Sequence, residues 1–238
     1  MTQKSPTLRH IGFILFSFGI FFEVMILLVS AWPDMESVAY GFTRYTEETL
    51  PSLSCPAMMT VLDREPVTLR LHNPLEKAIT RTVKIEVTGK YEIISINERV
   101  QLQPKETKTL SWEIGKENID IKHLILVRAF AYPVSSLKMN EATCGTFVMN
   151  LPITGGPLIF YTTLGLAVVG VGMGIWLWRR NSEMSSIPLV SLFRRMRFIT
   201  WVVSIGMVAS IFSRWTIGLV ALIITALTLA VFFVNRDN

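Results

Sequence analysis

Charge is scarce in this chain. Only 17% of its 238 residues are Asp, Glu, Lys or Arg, and half are apolar, whereas a soluble domain carries about a quarter charged residues. The deficit is concentrated in segments almost free of charge, so the chain reads as an integral membrane protein. Cysteine and histidine are scarcer still. Cys55 and Cys144 are the only cysteines, and His10, His72 and His123 stand apart, without Cys, Asp or Glu at metal-ligand spacing, so no metal centre is expected. GxSxG, HExxH, GxGxxG and P-loop patterns are all missing, as is any nucleophile beside a base. Neither an enzyme nor a bound cofactor is expected. The net charge of +5 does not point to nucleic acid. Residues 33–153 hold 14 basic against 15 acidic side chains, and the surplus of 9 against 3 lies beside the apolar segments, where membrane orientation needs it.

Four apolar segments have nearly the length that a bilayer requires. They are residues 11–32, 157–178, 198–213 and 215–234. The expected architecture is therefore four transmembrane α-helices plus an all-β sandwich outside the membrane. Residues 1–10 form a head, 33–56 a juxtamembrane segment, 179–197 a basic loop and 235–238 a tail. The basic flanks put both termini and that loop in the cytoplasm, and residues 33–153 on the exoplasmic side of the plasma membrane. Segment 11–32 can also be read as a cleaved signal peptide, with Val29-Ser30-Ala31 as the cleavage site.

Residues 57–153 read as β. Short runs rich in Val, Ile, Thr and aromatics fall at 59–62, 67–72, 81–87, 91–96, 100–102, 108–114, 124–132 and 146–150. In Val67-Thr68-Leu69-Arg70-Leu71-His72 and Val83-Lys84-Ile85-Glu86-Val87 apolar and polar residues alternate, as in strands of an antiparallel sandwich with one face wet. Asn73-Pro74, Gly89-Lys90, Pro104-Lys105 and Gly115-Lys116 supply turns. The number of strands matches an immunoglobulin-like domain. The order Leu69 to Pro74, Thr80 to Val87, then Leu102-Gln103-Pro104-Lys105-Glu106-Thr107 resembles the adhesion-type Ig-like modules of bacterial surfaces. That resemblance implies a fold and no activity. Cys55 and Cys144 both lie in this region. They read most simply as a disulfide, with two free thiols or a metal pair as alternatives.

Several features suggest contacts. Glu23 lies mid-span in the first segment, and an intramembrane carboxylate implies a function or a buried partner. It reads as a contact to a partner subunit, as a proton or cation relay, or as a carboxyl held by Thr162, Thr163, Ser204, Ser210 or Thr225. Leu151-Pro152-Ile153-Thr154-Gly155, followed by an apolar stretch and Arg179-Arg180, resembles a sortase sorting signal. Cleavage would then fall between Thr154 and Gly155. The alternative is a jointed linker before a helix that starts near Pro157. Gly170 with Gly174, and Gly206 with Ser210, have the spacing that lets helices approach closely. Arg179, Arg180, Arg194, Arg195 and Arg197 form a basic cluster at the membrane surface, where residues 185–196 are expected to lie as an interfacial helix. Tyr40, Phe42 and Tyr45, followed by Glu47-Glu48, would dock a partner or anchor the chain at the interface.

The expected role is a non-catalytic accessory subunit of a larger membrane complex, whose exoplasmic domain braces or caps a partner. Its partners would be the lipid bilayer and other membrane subunits, not nucleic acid. A cell-surface adhesion or envelope-linked protein is the alternative, and a small oligomeric channel or transporter subunit the second.

Overall fold

The computed structural model describes residues 5–39, 50, 52–120, 123–134, 137–182, 187–211 and 215–234. The chain divides into two compact units, Met1–Ala31 with Leu158–Asn238, and Trp32–Pro157.

The first unit is helical. It contains most of α1 (Pro6–Ala39) and α2 (Gly156–Asn181), with α3 (Ile187–Ile211) and α4 (Trp215–Val234). Phe16 and Ile20 of α1, Val171 and Trp178 of α2, and Met196, Ile199 and Val203 of α3 form one buried cluster. The helices come together where side chains vanish. A Cβ on Gly12 would lie 2.7 Å from the Trp178 amide nitrogen, and one on Gly19 2.7 Å from that of Val171. On the opposing helix, a Cβ on Gly174 would stand 2.8 Å from the Gly12 carbonyl oxygen. Such approach adds close van der Waals contact that bulkier residues would prevent. Leu27 is fully buried, with its methyls against Gly206 of α3 and Gly218 of α4.

The expectation of four membrane spans is overturned. Among the described residues two helices, Pro6–Ala39 and Gly156–Asn181, are long and apolar enough to cross a membrane, and α4 offers only the shorter apolar stretch Trp215–Thr228. Residues 179–197 do not separate from 198–213 as loop and span. Helix α3 runs straight through that boundary, because no Gly or Pro stands there and Arg, Met and Leu are good helix formers. It therefore carries Arg194, Arg195 and Arg197 inside a helix expected to begin at Phe198. The orientation drawn from four spans falls with them. The turn expected near Ser213 and Arg214, and the start of the interfacial helix at Ser185 and Ser186, lie outside the described residues.

Helix α1 outruns its expected end at Trp32 and reaches Ala39 through Pro33. Proline lacks one helical donor, but local side-chain bonds hold the last turns. Trp32 Nε1 donates to Glu36 Oε1 at 3.0 Å, and Ser37 Oγ to the Asp34 carbonyl at 2.7 Å.

The second unit is a β-sandwich. Strand β1 (Leu53–Ser54), β3 (Glu65–His72) and β6 (Thr107–Ile114) make a three-stranded sheet in the order β1-β3-β6. The five-stranded sheet has the order β2-β8-β7-β4-β5, with β2 (Met58–Thr60), β4 (Ile79–Thr88), β5 (Ile93–Leu102), β7 (Leu124–Ala131) and β8 (Asn140–Met149). Val67, Leu69, Leu71 and Leu110 of the smaller sheet share one core with Val83, Ile85, Val100, Ile125 and Val127 of the larger. The alternation read in Val67 to His72 and Val83 to Val87 thus buries the apolar half of each strand. The expectation of a purely antiparallel all-β sandwich is corrected as well. Strand β2 runs parallel to β8, pairing Met59 with Val148, so the larger sheet is mixed. A parallel pair needs a long crossover, and the chain from β3 to β7 provides it. The expected strands 91–96 and 100–102 are one strand, and β8 begins at Asn140 rather than Thr146.

Candidate functional site

Three features of the sandwich unit emerge from residues far apart in sequence. The first holds its two ends. Asp63 lies in the turn between β2 and β3, where its Oδ1 accepts the Gly155 amide at 2.7 Å. Its Oδ2 accepts the Gly156 amide at 2.8 Å and the Thr60 amide at 2.7 Å. Gly156 opens α2, so Asp63 caps that helix from some 90 residues away, where backbone N–H groups favour an anion. Burial pushes the Asp63 carboxyl up, but the amides of Thr60, Gly155 and Gly156 with the Thr60 hydroxyl outweigh it and hold the group below its ordinary value. Glu65 next to this turn is pushed up, first by burial and then by the Asp63 charge. At the other end, Asp34 Oδ1 accepts the Gly145 amide at 2.9 Å. A Cβ at Gly145 would collide with the Pro33 carbonyl and stand 2.7 Å from Pro33 Cβ, so only glycine fits there.

The second feature is covalent. Cys55 and Cys144 are joined as a disulfide with Cα atoms 5.9 Å apart, next to Gly145. Hydrogen bonds order the sandwich elsewhere. The buried Arg81 guanidinium donates to the carbonyls of Tyr132 (2.9 Å), Ala131 (3.1 Å) and Lys138 (2.7 Å) and to Asn140 Oδ1 (2.8 Å), and burial lowers its basicity. Asn73 Nδ2 donates to the Gln103 carbonyl at 2.8 Å, which ties together the Asn73-Pro74 turn and the Leu102 to Thr107 segment singled out in the sequence.

The third feature is an open edge. Strand β5 ends the larger sheet and, among the described residues, pairs only with β4. Val100 and Leu102 point into the core, and Glu98, Ile96 and Ile94 follow on the same face by two-residue periodicity, all three exposed. The two isoleucines sit opposite the buried Val87 and Ile85 of β4, yet Ile94 is 38% and Ile96 42% exposed. The core-facing side of the larger sheet thus runs past the cover of the smaller one. Ile93 and Tyr91 are exposed beside them, Tyr91 at the hairpin tip.

In the helical unit, Glu23 is buried within the unit's own interior at 2% exposure. Its Oε2 has no hydrogen-bond partner among the described residues. Of the hydroxyls considered for it, Thr162 donates to Leu158 and Thr225 to Ala221 within their own helices, and Ser210 Oγ is buried without a partner among the described residues. Gly174 packs tightly on α1, whereas Gly170 has slack, its added Cβ meeting nothing nearer than 3.5 Å. Gly206 lies against Ala221, and Ser210 against Gly218. Arg179, Arg180, Arg194, Arg195 and Arg197 are all exposed. Of the sorting-signal pattern, Thr154 is exposed, but the Ile153 carbonyl accepts from Thr60 Oγ1 at 2.5 Å and Gly155 from Asp63. Tyr40, Phe42, Tyr45, Glu47 and Glu48 lie outside the described residues.

Sequence reasoning missed Asp63, Asp34 and the β5 edge. No local pattern marks a residue that caps a helix some 90 positions downstream. Gly12 and Gly19 were missed too, although two glycines seven apart on one helical face carry a signal that could have found them. No group of three His, Cys, Asp or Glu side chains gathers as a metal site among the described residues.

No family model matches the chain, and no curated protein is similar to it. Among solved structures, it is similar to a CARDB domain from Pyrococcus furiosus in complex with di-metal ions, at 17% identity and TM-score 0.34, over 42% of this chain and 90% of that one. It is also similar to a Paenibacillus sp. cycloisomaltooligosaccharide glucanotransferase, at 14% identity and TM-score 0.34, over 42% of this chain. A Listeria innocua β-glucosidase matches at 19% identity and TM-score 0.30, over 47% of this chain and 18% of its own. The chain spans only 14% of the glucanotransferase's length. These likenesses transfer no activity or ligand to it.

Proposed function

We propose that this chain is a non-catalytic accessory subunit of a larger membrane complex. Helices α1 and α2 anchor it, and the sandwich between them stands on the exoplasmic side, where it braces a partner. The observation that carries this reading is the β5 edge. A strand whose outer edge is unpaired among the described residues, with apolar side chains along it, is a template for pairing with another chain. Soluble domains normally protect such edges with charge, proline or a bulge; on β5 the charges, Glu98 and Arg99, sit in its second half, and its first half offers Ile93, Ile94 and Ile96. A partner segment added beside β5 extends the sheet by main-chain hydrogen bonds and covers Ile94 and Ile96. The Cys55–Cys144 disulfide supports the exoplasmic placement, because such bonds persist in oxidising compartments.

The test is native purification of the full chain in mild detergent, with mass spectrometry of what accompanies it. A stoichiometric membrane partner, lost in the Ile94→Asp/Ile96→Asp variant while its melting curve stays unchanged, is the expected result. Recovery of the parent chain alone, or a partner retained by the variant, refutes the reading.

A further inference from the structure

The surface where α2 meets α3 combines positive charge with an apolar wall. Phe193, Arg197 and Trp201 follow one another at four-residue intervals along α3 and so lie on one stripe of that helix. They line two adjoining hollows of about 390 and 330 Å³. Ile175 and Arg179 of α2 close the larger, with Thr200, and Arg194 and Phe198 close the smaller. The floor is rigid. Trp178 stacks on Phe193 with ring centres 5.7 Å apart and planes 3° from parallel, fixing α2 against α3 at this level. The Arg197 guanidinium lies 5.9 Å from the Phe193 ring centre. Among the described residues, no carboxylate pairs with Arg179, Arg194 or Arg197.

We infer that this groove is a binding site for an anionic phospholipid, with the phosphate held between Arg179 and Arg197 and an acyl chain laid along Trp201 and Phe198. Three physical points choose this occupant. Guanidinium groups without acidic partners attract an anion, and Arg is the side chain whose fork fits phosphate oxygens. Trp201 and Phe198 are 64% and 50% exposed, an apolar wall that a small inorganic anion would leave uncovered and a lipid tail would not. The hollows are the size of ligand pockets, but they open along the helix surface, as suits a molecule whose tail continues out of the site. Basic pockets between membrane helices are recurrent sites for lipid headgroups. The inference rests on the membrane reading, since a lipid reaches the groove only if α2 lies in a bilayer.

The experiment uses the full chain in detergent, titrated with dioleoyl phosphatidylglycerol and, separately, dioleoyl phosphatidylcholine, with bound lipid read by native mass spectrometry. Phosphatidylglycerol is expected to bind in preference, and Arg179→Gln/Arg197→Gln to weaken it roughly thirtyfold, at the strength with which a basic side chain holds an anionic lipid. Arg180→Gln is the matched control, because Arg180 sits over Trp176 with its guanidinium carbon 5.2 Å from that ring centre and lines neither hollow. It is expected to bind as the parent does. Equal binding of the two lipids, equal weakening by Arg180→Gln, or displacement by inorganic phosphate at matched concentration overturns the site. Carbonate extraction of cell membranes separates the two levels. A chain released into the supernatant refutes the membrane reading itself, whereas a retained chain that ignores phosphatidylglycerol refutes only the groove.

Discussion

Replacing Asp63 by Asn keeps its size and removes its charge, and the expected cost follows from three hydrogen bonds. Asp63 offers acceptors to Gly155, Gly156 and Thr60, all at 2.7–2.8 Å. An Asn side chain has one oxygen. Placed at the Oδ2 position, it keeps the two bonds from Gly156 and Thr60 but turns its own N–H₂ towards the Gly155 amide. One charge-assisted bond, worth about 1.5–3 kcal/mol, is lost, and the remaining two are weakened by loss of the charge at a helix N-terminus. A total of about 3 kcal/mol lowers the melting temperature by roughly 10 °C for a unit of this length. The pH dependence supplies an independent check. The folded-state pKa of Asp63 is depressed below its ordinary value of 3.8, so on acidification the unfolded chain takes up this proton first. The stabilisation is therefore complete above that ordinary value and disappears as pH falls through the folded pKa. Circular dichroism melts of parent and Asp63→Asn at neutral pH and at acid pH below 3.8 should show a large gap that narrows as the pH falls. A gap that is absent at neutral pH, or that persists unchanged in acid, refutes the assignment of Asp63 as the charged cap.

Other expectations follow from packing and cross-linking. The Cys55→Ala/Cys144→Ala variant loses a bridge across 89 residues, and urea titration should show a loss of roughly 4–5 kcal/mol on the chain-entropy account. Reduction of the parent by dithiothreitol should reproduce it. Gly145→Ala drives a methyl into the Pro33 carbonyl and should cost at least about 1–3 kcal/mol, as overpacking does; an unchanged melting temperature would show that Pro33 yields freely. Gly174→Leu should separate α1 from α2, where an added Cβ already stands 2.8 Å from Phe16 Cα, while Gly170→Ala, with space at 3.5 Å, should be tolerated. Site-specific cross-linking between residues 12 and 174 reports this directly.

Much of the sandwich was readable because strand periodicity is local. Alternation in Val67 to His72 and Val83 to Val87 settles which side chains are buried, and the Asn73 and Pro104 turns separate the strands that they end. Two cysteines in one β-rich region were enough to expect their bond. The two long apolar helices were equally plain, since length and lack of charge are properties of a window of sequence. The fourth segment is a helix with the expected bounds, but its described apolar stretch, Trp215–Thr228, is too short to count as a span, and the third failed on the bounds of its window. Hydropathy divided at Arg197, whereas helix continuity depends on backbone hydrogen bonding, and nothing at 196–198 interrupts it.

Other features existed only in three dimensions. Strand β2 joins β8 in parallel because the intervening chain crosses over, a matter of topology that no residue in Met58 to Thr60 encodes by itself. Asp63 becomes a helix cap only when folding brings Gly155 and Gly156 to it, and Gly145 becomes irreplaceable only beside Pro33. The exposure of Ile94 and Ile96 depends on where the smaller sheet stops covering the larger. By two-residue periodicity they share the face of Val100 and Leu102, but the exposed Glu98 between them already interrupts the apolar row. Sequence thus determined which residues prefer to be buried, since that preference belongs to each side chain and its neighbours along the chain. Tertiary structure decided which of them found cover, since burial depends on surfaces that distant segments bring or fail to bring.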